Sequence, residues 1–581
     1  MVFIALYLLY CLTILFLAGL VLQRLLVRLG LWSDATAQAA IHSILVLGLI
    51  GLTTFVSLLS CIIPIDATVH GGILFILVLA AVVERTYIPQ AVRQLYLQLK
   101  ANVFFVALAF LCIVIALFHA AGPVTLFDTG LYHAQAVKWI QEYGAVPGLG
   151  NLHHRLAFNS SWFCFSAFLD LGPFTGKSAH VVNLIVIVLA LCMCFSGFCG
   201  LYNGNYSMQN CILCLLSLPL CLDTELILEF LTSLSPDLCI VILLIYQVYL
   251  VVTCLEHETP ETHPGQGQGL FTLSVFMAFF LPTVKLSALV VLVFPLLLFF
   301  RPNYRSRKPL LLTGLLGIVI ILPFLVRNVI LSGYLIFPFP EVDLFSFDWK
   351  IPAVDVVNIR QGIRYFAINP QPGAGPCAVA AMGTREWITF WVGRHAGNPL
   401  LHWVLGSGVA ALIFLAICVR RRLNVCLPMV AVYGVVVAGM VYWFCSAPLL
   451  RFGKGWLWAF IILSCAGILY VVLGALRPPF VKVLSSAAGV VVSFGLLSTA
   501  AIDSKWDGCP PASLGTRLWK TCPLPRESMK VIEIHPGLSV YVPRREKAWD
   551  AALPSAPAVD LRLRMRGVTL KEGFRVTQES G

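Results

Sequence analysis

Apolar runs of membrane-crossing length alternate with short polar joints along most of the chain, and that pattern predicts an all-α polytopic membrane protein. A hydrocarbon core needs about 20 apolar residues per helix. On this template about 14 spans are expected, near 2–22, 41–63, 71–84, 101–120, 178–200, 208–222, 236–254, 270–283, 285–300, 309–330, 399–419, 423–446, 453–475 and 480–500. The first run, "MVFIALYLLYCLTILFLAGLVL", has no basic segment ahead of it and no small-residue cleavage site, so it reads as a retained span and not as a signal peptide.

Basic residues set the orientation, because short cytoplasmic loops carry an excess of Lys and Arg. Arg24 and Arg28, then Arg85, Arg93 and Lys100, then "RPNYRSRKP" at 301–309, "RRR" at 420–422, and Arg477 with Lys482 all become cytoplasmic if both termini lie outside. The solution requires the apolar stretch 270–300 to be two short helices breaking near Pro282, with Lys285 at the outer surface or in a cavity. Three segments then share the non-cytoplasmic side: 121–177, 331–398 and the tail from 501. Residues 550–581 carry little apolar pattern and are expected to be partly disordered. No internal repeat of fixed period is evident, which speaks against transporter folds built from inverted repeats.

Composition reinforces the class. Of 581 residues, 59% are hydrophobic and 11% charged, and the mean hydropathy is +0.90, well outside soluble globular domains. The net charge of +12 does not point to nucleic acid, because the basic residues stand in short clusters between apolar runs. Most of the 19 cysteines lie inside apolar runs and behave as small hydrophobes. Cys509 and Cys522 instead flank a polar stretch of the tail, where a disulfide is plausible outside the cytoplasm.

The polar chemistry begins at "FDTGLYHAQAVKWIQEYG", residues 127–144. Asp128, Tyr132, Gln135 and Trp139 are spaced as one helical face, with His133 between them. That face predicts an interfacial helix over about 129–142, anchored by Trp139, with Asp128 directed into a cavity above the spans. The plainer reading of Asp128 is an N-cap, a position Asp favours. The loop continues through "VPGLGNLHHRLAFNSSWF" with His153, His154, Arg155 and Asn159. The paired His near an Asp are candidate ligands for a divalent ion, although their spacing matches no tight metal motif. Arg155 suits bidentate capture of a phosphate, or else snorkels to lipid headgroups.

Further ionisable residues recur at span ends on the same side. "TSLSPDL" holds Asp237, "PTVKLSA" holds Lys285, "PFLVRNVILSGYLIFPFP" holds Arg327 and Asn328, and "SAPLLRFGKG" holds Arg451 and Lys454. Charges at membrane depth are costly and default to functional hypotheses. Several cations with two acids describe a site for an anionic ligand such as a phosphate or pyrophosphate. Each is equally readable as a helix-end anchor or packing ion pair.

An acid early in the first long outer loop, directly after a span and followed by an interfacial helix, resembles the GT-C glycosyltransferases. The wording of "FDTGLYHAQAVKWIQEYGAVPGLGNLHHRLAFNSSWF", with "SLSPDL", "KLSA", "DWKIP" and "RFGKG", also resembles a family of uncharacterised bacterial multispanning proteins over most of residues 100–460. The resemblance implies N-terminal transmembrane helices at 1–100, a GT-C-like core at 101–500 and an extracytoplasmic tail at 501–581, in the bacterial cytoplasmic membrane. It implies transfer of a sugar from a polyprenyl-phosphate donor in the membrane lipid to an acceptor on the outer face. Asp128 would be the general base, its pKa raised by a partly apolar cavity. Arg155, Lys285, Arg327 and Arg451 are the candidates for holding the leaving phosphate. Tyr132, His133, Gln135, His153, His154, Asn159, Asp237 and Asn328 complete the candidate substrate site. The chain has a lone "FDTG" where many GT-C members pair two acids, and three spans before that loop where many have one.

Rival readings are a lipid-linked glycan flippase or other transporter, a polysaccharide polymerase or ligase, and a non-catalytic assembly subunit in which Asp128 only caps. The sugar, the acceptor and the oligomeric state are not written in the sequence.

Overall fold

Helix α1 (Val2–Arg28) is apolar over nearly its whole length and needs no side-chain cap. It packs on α2 (Ile41–Leu59) through reciprocal glycines. A Cβ on Gly19 would stand 2.0 Å from the Ile44 carbonyl oxygen, and one on Gly48 would stand 2.0 Å from that of Leu15. Without Cβ atoms the two backbones close onto each other, the small-residue packing favoured where dispersion and not hydrophobic burial joins helices. The computed structural model describes residues 1–33, 40–170, 176–256, 266–299, 307–368, 379, 381–421, 426–502 and 521–577.

Among the described residues, eleven helices are long and apolar enough to cross a membrane, so the chain is a multi-pass membrane protein of helical construction. A twelfth is reached if one bent pair is a single span, and three of the 14 expected spans are not single long apolar helices. The expected span 71–84 is α3 (Ala67–Val83), which turns by 89° into α4 (Tyr87–Ala101). The expected span 208–222 divides into Met208–Leu215 and Ser217–Leu222. The expected span 285–300 is a 3-10 segment, Leu286–Val293, followed by Phe294–Phe299. The break expected near Pro282 falls at Lys285, whose backbone is extended, while Pro282 itself is accommodated inside the helix Gln266–Val284.

Contacts between helix ends define two faces. On one, Glu84 pairs with Arg24 and Arg28, Asn203 donates to Asn102, and the Lys482 ammonium lies over Tyr202. Several of the basic residues expected in the cytoplasm gather here. On the other face, the Ala145 amide donates to the Ser60 carbonyl at 2.7 Å and the Gly148 amide to that of Ile330 at 2.8 Å. At the centre of the bundle, Asp237–Glu256 is buried on all sides, as a helix apolar all round requires.

The first loop and the tail meet on this second face. After α5 (Val103–Ala120) the chain forms a short turn and then α6 (Ala134–Glu142), close to the helix expected at 129–142. Residues 521–577 of the tail are folded, which corrects the expectation over 550–577: Met529–His535 pairs with Leu538–Pro543, and Leu563–Met565 with Phe574–Val576. Leu563 is buried, and Trp549 and Phe574 are buried against the first loop, at Gly130 and Trp139. The Phe574 amide donates to the Pro147 carbonyl at 3.0 Å, and Arg566 pairs with Asp348 of the second loop. Cys522 is disulfide-bonded; Cys509, its expected partner, lies outside the described residues, as do the other tail residues 503–520 and 578–581.

Candidate functional site

Between α5 and α6 the chain does not make a simple α-helical entry. Thr129–His133 forms a π-turn, in which the Ala134 amide reaches back five residues to the Thr129 carbonyl. One residue more per turn shifts the phase of everything that follows, so the expected single face is split. Asp128 points to Arg451, Gln135 turns to the tail, and Trp139 is wholly buried. Single π-turns inside helices are rare and often mark functional sites. The Asp128 side chain makes no capping hydrogen bond, so the capping reading does not describe it.

Four charges from four distant parts of the chain form a ladder at this turn. Arg451 Nη2 donates to Asp128 Oδ2 at 2.6 Å, and Arg451 Nε lies 3.5 Å from Asp237 Oδ2. Asp237 in turn pairs with Lys285 and accepts from Ser235 Oγ at 2.8 Å. The Asp128 and Asp237 side chains keep only 14% and 6% of their exposure, and those of Arg451 and Lys285 23% and 20%. Phe452 floors the ladder, with Lys285 Nζ 4.4 Å and the Arg451 guanidinium 5.3 Å from its ring centre. Each position follows from local structure: Asp237 opens a span, Lys285 sits in the extended break, and Arg451 lies in the first turn of Leu450–Leu473.

Tyr132, His133 and Arg155 border the ladder. The Arg155 guanidinium stands 5.8 Å from the Tyr132 ring centre, and the His133 ring packs on Tyr132 at 4.3 Å and Phe163 at 5.1 Å. His133 Nδ1 is 3.4 Å from Thr129 Oγ1, which also accepts from the Leu234 amide. Among the described residues Arg155 forms no ion pair, so it is the site's cation without a carboxylate partner.

The electrostatics correct one expectation. Burial favours the neutral form of Asp128, but the Arg451 guanidinium, aided by His133 and Arg155, outweighs it and holds the carboxyl below its usual range. The expected upward shift is therefore reversed, because the neighbouring cation is closer than the sequence could indicate. Burial pushes His133 down to about 4 despite the attraction of Asp128, so its imidazole is neutral at pH 7. Burial likewise raises the Tyr132 hydroxyl and lowers His153 to about 3.

The other expected site residues are tied elsewhere. Arg327 is buried and donates to Ser60 Oγ at 2.7 Å and to Asn159 Oδ1 at 3.2 Å, while Asn159 donates to the Phe324 carbonyl. Together they pin the first loop to the ends of two spans and line a small cavity under α6 with Trp139, Leu156 and Phe163. Asn328 donates to the Leu335 carbonyl within the loop that follows. Gln135 Nε2 donates to the Trp549 and Ala551 carbonyls at 3.0 and 3.1 Å. His153 and His154 stack edge to face at 5.2 Å, and among the described residues no three His, Cys, Asp or Glu are grouped as metal ligands. Lys454 leaves the ladder for a second cluster, bound to Asp223 and Glu225 at 2.7 and 2.6 Å.

Sequence reasoning did not single out Ser235, Thr129 or Phe452. The motif "SLSPDL" carried a signal for the first, since Ser two residues before Asp is placed to hydrogen-bond it.

A family model described as a domain of unknown function, DUF8201, matches residues 1–458. The chain belongs to this family. No curated protein and no solved structure matches it. All four ladder residues and Arg155 fall within the DUF8201 match, whereas the tail that covers α6 lies beyond it.

Proposed function

We propose that this DUF8201 protein is a GT-C-like membrane glycosyltransferase, moving a sugar from a polyprenyl-phosphate donor to an acceptor hydroxyl at the outer face of a bacterial cytoplasmic membrane. The observation that carries the reading is the Asp128–Arg451–Asp237–Lys285 ladder beside Arg155, which makes no ion pair among the described residues. A carboxylate next to clustered cations, at the ends of spans, fits a reaction that needs a base and a phosphate anchor in one place.

In this reading the donor enters sideways from the bilayer and its phosphate meets Arg155 first, then shares Arg451. Asp128 Oδ2 loses its guanidinium partner to the phosphate and gains basicity at that moment. It takes the acceptor proton as the acceptor oxygen bonds to the anomeric carbon, and the bond from that carbon to the phosphate oxygen breaks. The polyprenyl phosphate leaves with the electron pair, its charge held by Arg155 and Arg451. Asp237 and Lys285 keep Arg451 in place.

The charge balance of the ladder, two acids against two cations, equally describes a structural ion-pair network in an assembly subunit. Asp128→Asn separates the two. The assay supplies purified protein in liposomes with polyprenyl-phosphate sugars and measures released polyprenyl phosphate by mass spectrometry. Loss of a general base lowers the rate by roughly 100-fold to 10,000-fold, and Asp128→Asn is expected in that range with the protein still folded. Release at the wild-type rate by folded Asp128→Asn removes the catalytic reading.

A further inference from the structure

The face opposite the ladder carries a helix that the site does not use. α4 (Tyr87–Ala101) follows α3 after an 89° turn, and both its ends are held at the same face of the bundle. At its start, Glu84 pairs with Arg24 and Arg28 at the end of α1. At its end, Asn102 accepts from Asn203, which closes the helix Ser178–Tyr202. A helix of about 22 Å tethered at one level by both ends runs along that face and not through the membrane.

Its composition suits the interface. Apolar side chains recur at Tyr87, Ile88, Ala91, Val92, Leu95 and Leu99, the spacing of one helical stripe. Only part of this stripe is used by the protein: Tyr87 and Ala91 pack on Leu20 and Ile44, while Val92 and Leu99 remain exposed. The exposed apolar surface continues directly from α3, where Phe75, Val78, Leu79 and Val82 face outward. The charges are of one sign. Arg85, Arg93 and Lys100 are exposed, no Asp or Glu occurs between 85 and 101, and none of the three makes an ion pair among the described residues.

We infer that α4 is an interfacial helix that, with the turn before it, binds anionic phospholipid headgroups through Arg85 of the turn and Arg93 and Lys100 of the helix, with Val92 and Leu99 seated at the edge of the acyl region. The stripe supplies the insertion and the cations supply the lipid preference, the two contributions that hold amphipathic helices at bilayer surfaces. A cation near an anionic surface is worth a factor of about five in binding. The helix thereby fixes the α3–α5 corner to the membrane surface on the side remote from the ladder.

Amide hydrogen exchange of the segment 87–101 tests this on the full chain in nanodiscs. Exchange is expected to slow by at least about five-fold, the effect of one cation, when phosphatidylglycerol replaces phosphatidylcholine. Raising the salt to about 1 M, where screening acts over ~3 Å, should remove the difference. The variant R85Q/R93Q/K100Q should exchange alike in both bilayers, and the charge-conserving R93K/K100R should keep the wild-type dependence. Equal exchange of the wild-type segment in the two bilayers overturns the inference, as does a lipid dependence that survives the glutamine substitutions. The wild-type comparison and its salt dependence decide the matter even if the triple variant fails to fold.

Discussion

Arg451 is the hub of the ladder, and a double-mutant cycle with Asp128 measures whether the ladder is energetically real. Arg451→Gln removes the guanidinium that lies 2.6 Å from Asp128 and 3.5 Å from Asp237. Two largely buried carboxylates are then left with Lys285 as their one remaining ladder cation. Two unit charges about 4 Å apart interact by about 4 kcal/mol at an effective dielectric of ~20. Desolvation offsets part of that attraction, and breaking a buried pair from one side typically costs about 3–5 kcal/mol. Asp128→Asn alone keeps a hydrogen-bond acceptor for Arg451 and leaves Asp237 in place, so about 1–2 kcal/mol is expected. The double variant lacks both the cation and one of the repelling acids, and should be more stable than Arg451→Gln alone. The coupling energy expected is about 2 kcal/mol. Unfolding in detergent micelles, followed by tryptophan fluorescence at pH 7 and low salt, supplies all four free energies. Additivity within about 0.5 kcal/mol, the scatter of independent sites, would refute the ladder as an interacting unit.

Two further outcomes follow from the same geometry. Burial holds His133 near 4 and His153 near 3, below the ordinary 6.5, so between those values the unfolded chain binds more protons than the folded one. The contribution of these two groups to stability is therefore full above pH 6.5 and declines as pH falls toward 4, whereas Asp128, held below 3.8, contributes its loss only at still lower pH. Unfolding free energies of wild type and H153Q measured from pH 7 to 4.5 should differ in slope, the variant declining less by the share of His153; identical slopes contradict the assignment. Separately, a Cβ at Gly130 would stand 2.8 Å from the Trp549 indole, whose backbone amide donates to the Gly130 carbonyl at 2.9 Å. Gly130→Ala should loosen the tail at a cost of about 1–3 kcal/mol, seen as faster proteolysis within 521–577, and cleavage at the wild-type rate would show that the indole shifts freely.

Much of the architecture was legible because membrane crossing is written in composition and length. Eleven of the expected spans appear as long apolar helices, since a run of about 20 apolar residues has one way to satisfy its backbone in lipid. The three that differ are those where local sequence competes with length. The 89° corner before α4 follows a 17-residue helix, Lys285 interrupts its run, and Pro219 falls within the short helix Ser217–Leu222. Hydropathy averages over such interruptions and so does not detect them.

The sequence by itself also singled out the charged residues at span ends, because charged groups beside apolar runs are few and expensive. What it could not determine is who meets whom. Arg451 lies 323 positions from Asp128 in the chain, and the spacing of either motif holds no trace of the other. Arg327 and Arg451 look alike as single cations at span ends, yet one is consumed in pinning a loop and the other bridges two acids. The π-turn at Thr129–His133 decided which face Asp128 takes, and an α-helical periodicity applied to the sequence points it with Gln135 instead. The tail shows the same division: its apolar residues are too few to form a core alone, and they are ordered because the first loop buries Trp549 and Phe574. Hydrophobic length acts locally and can be read along the chain, whereas pairing of charges and burial of isolated aromatics depend on distances that exist only after the helices have packed.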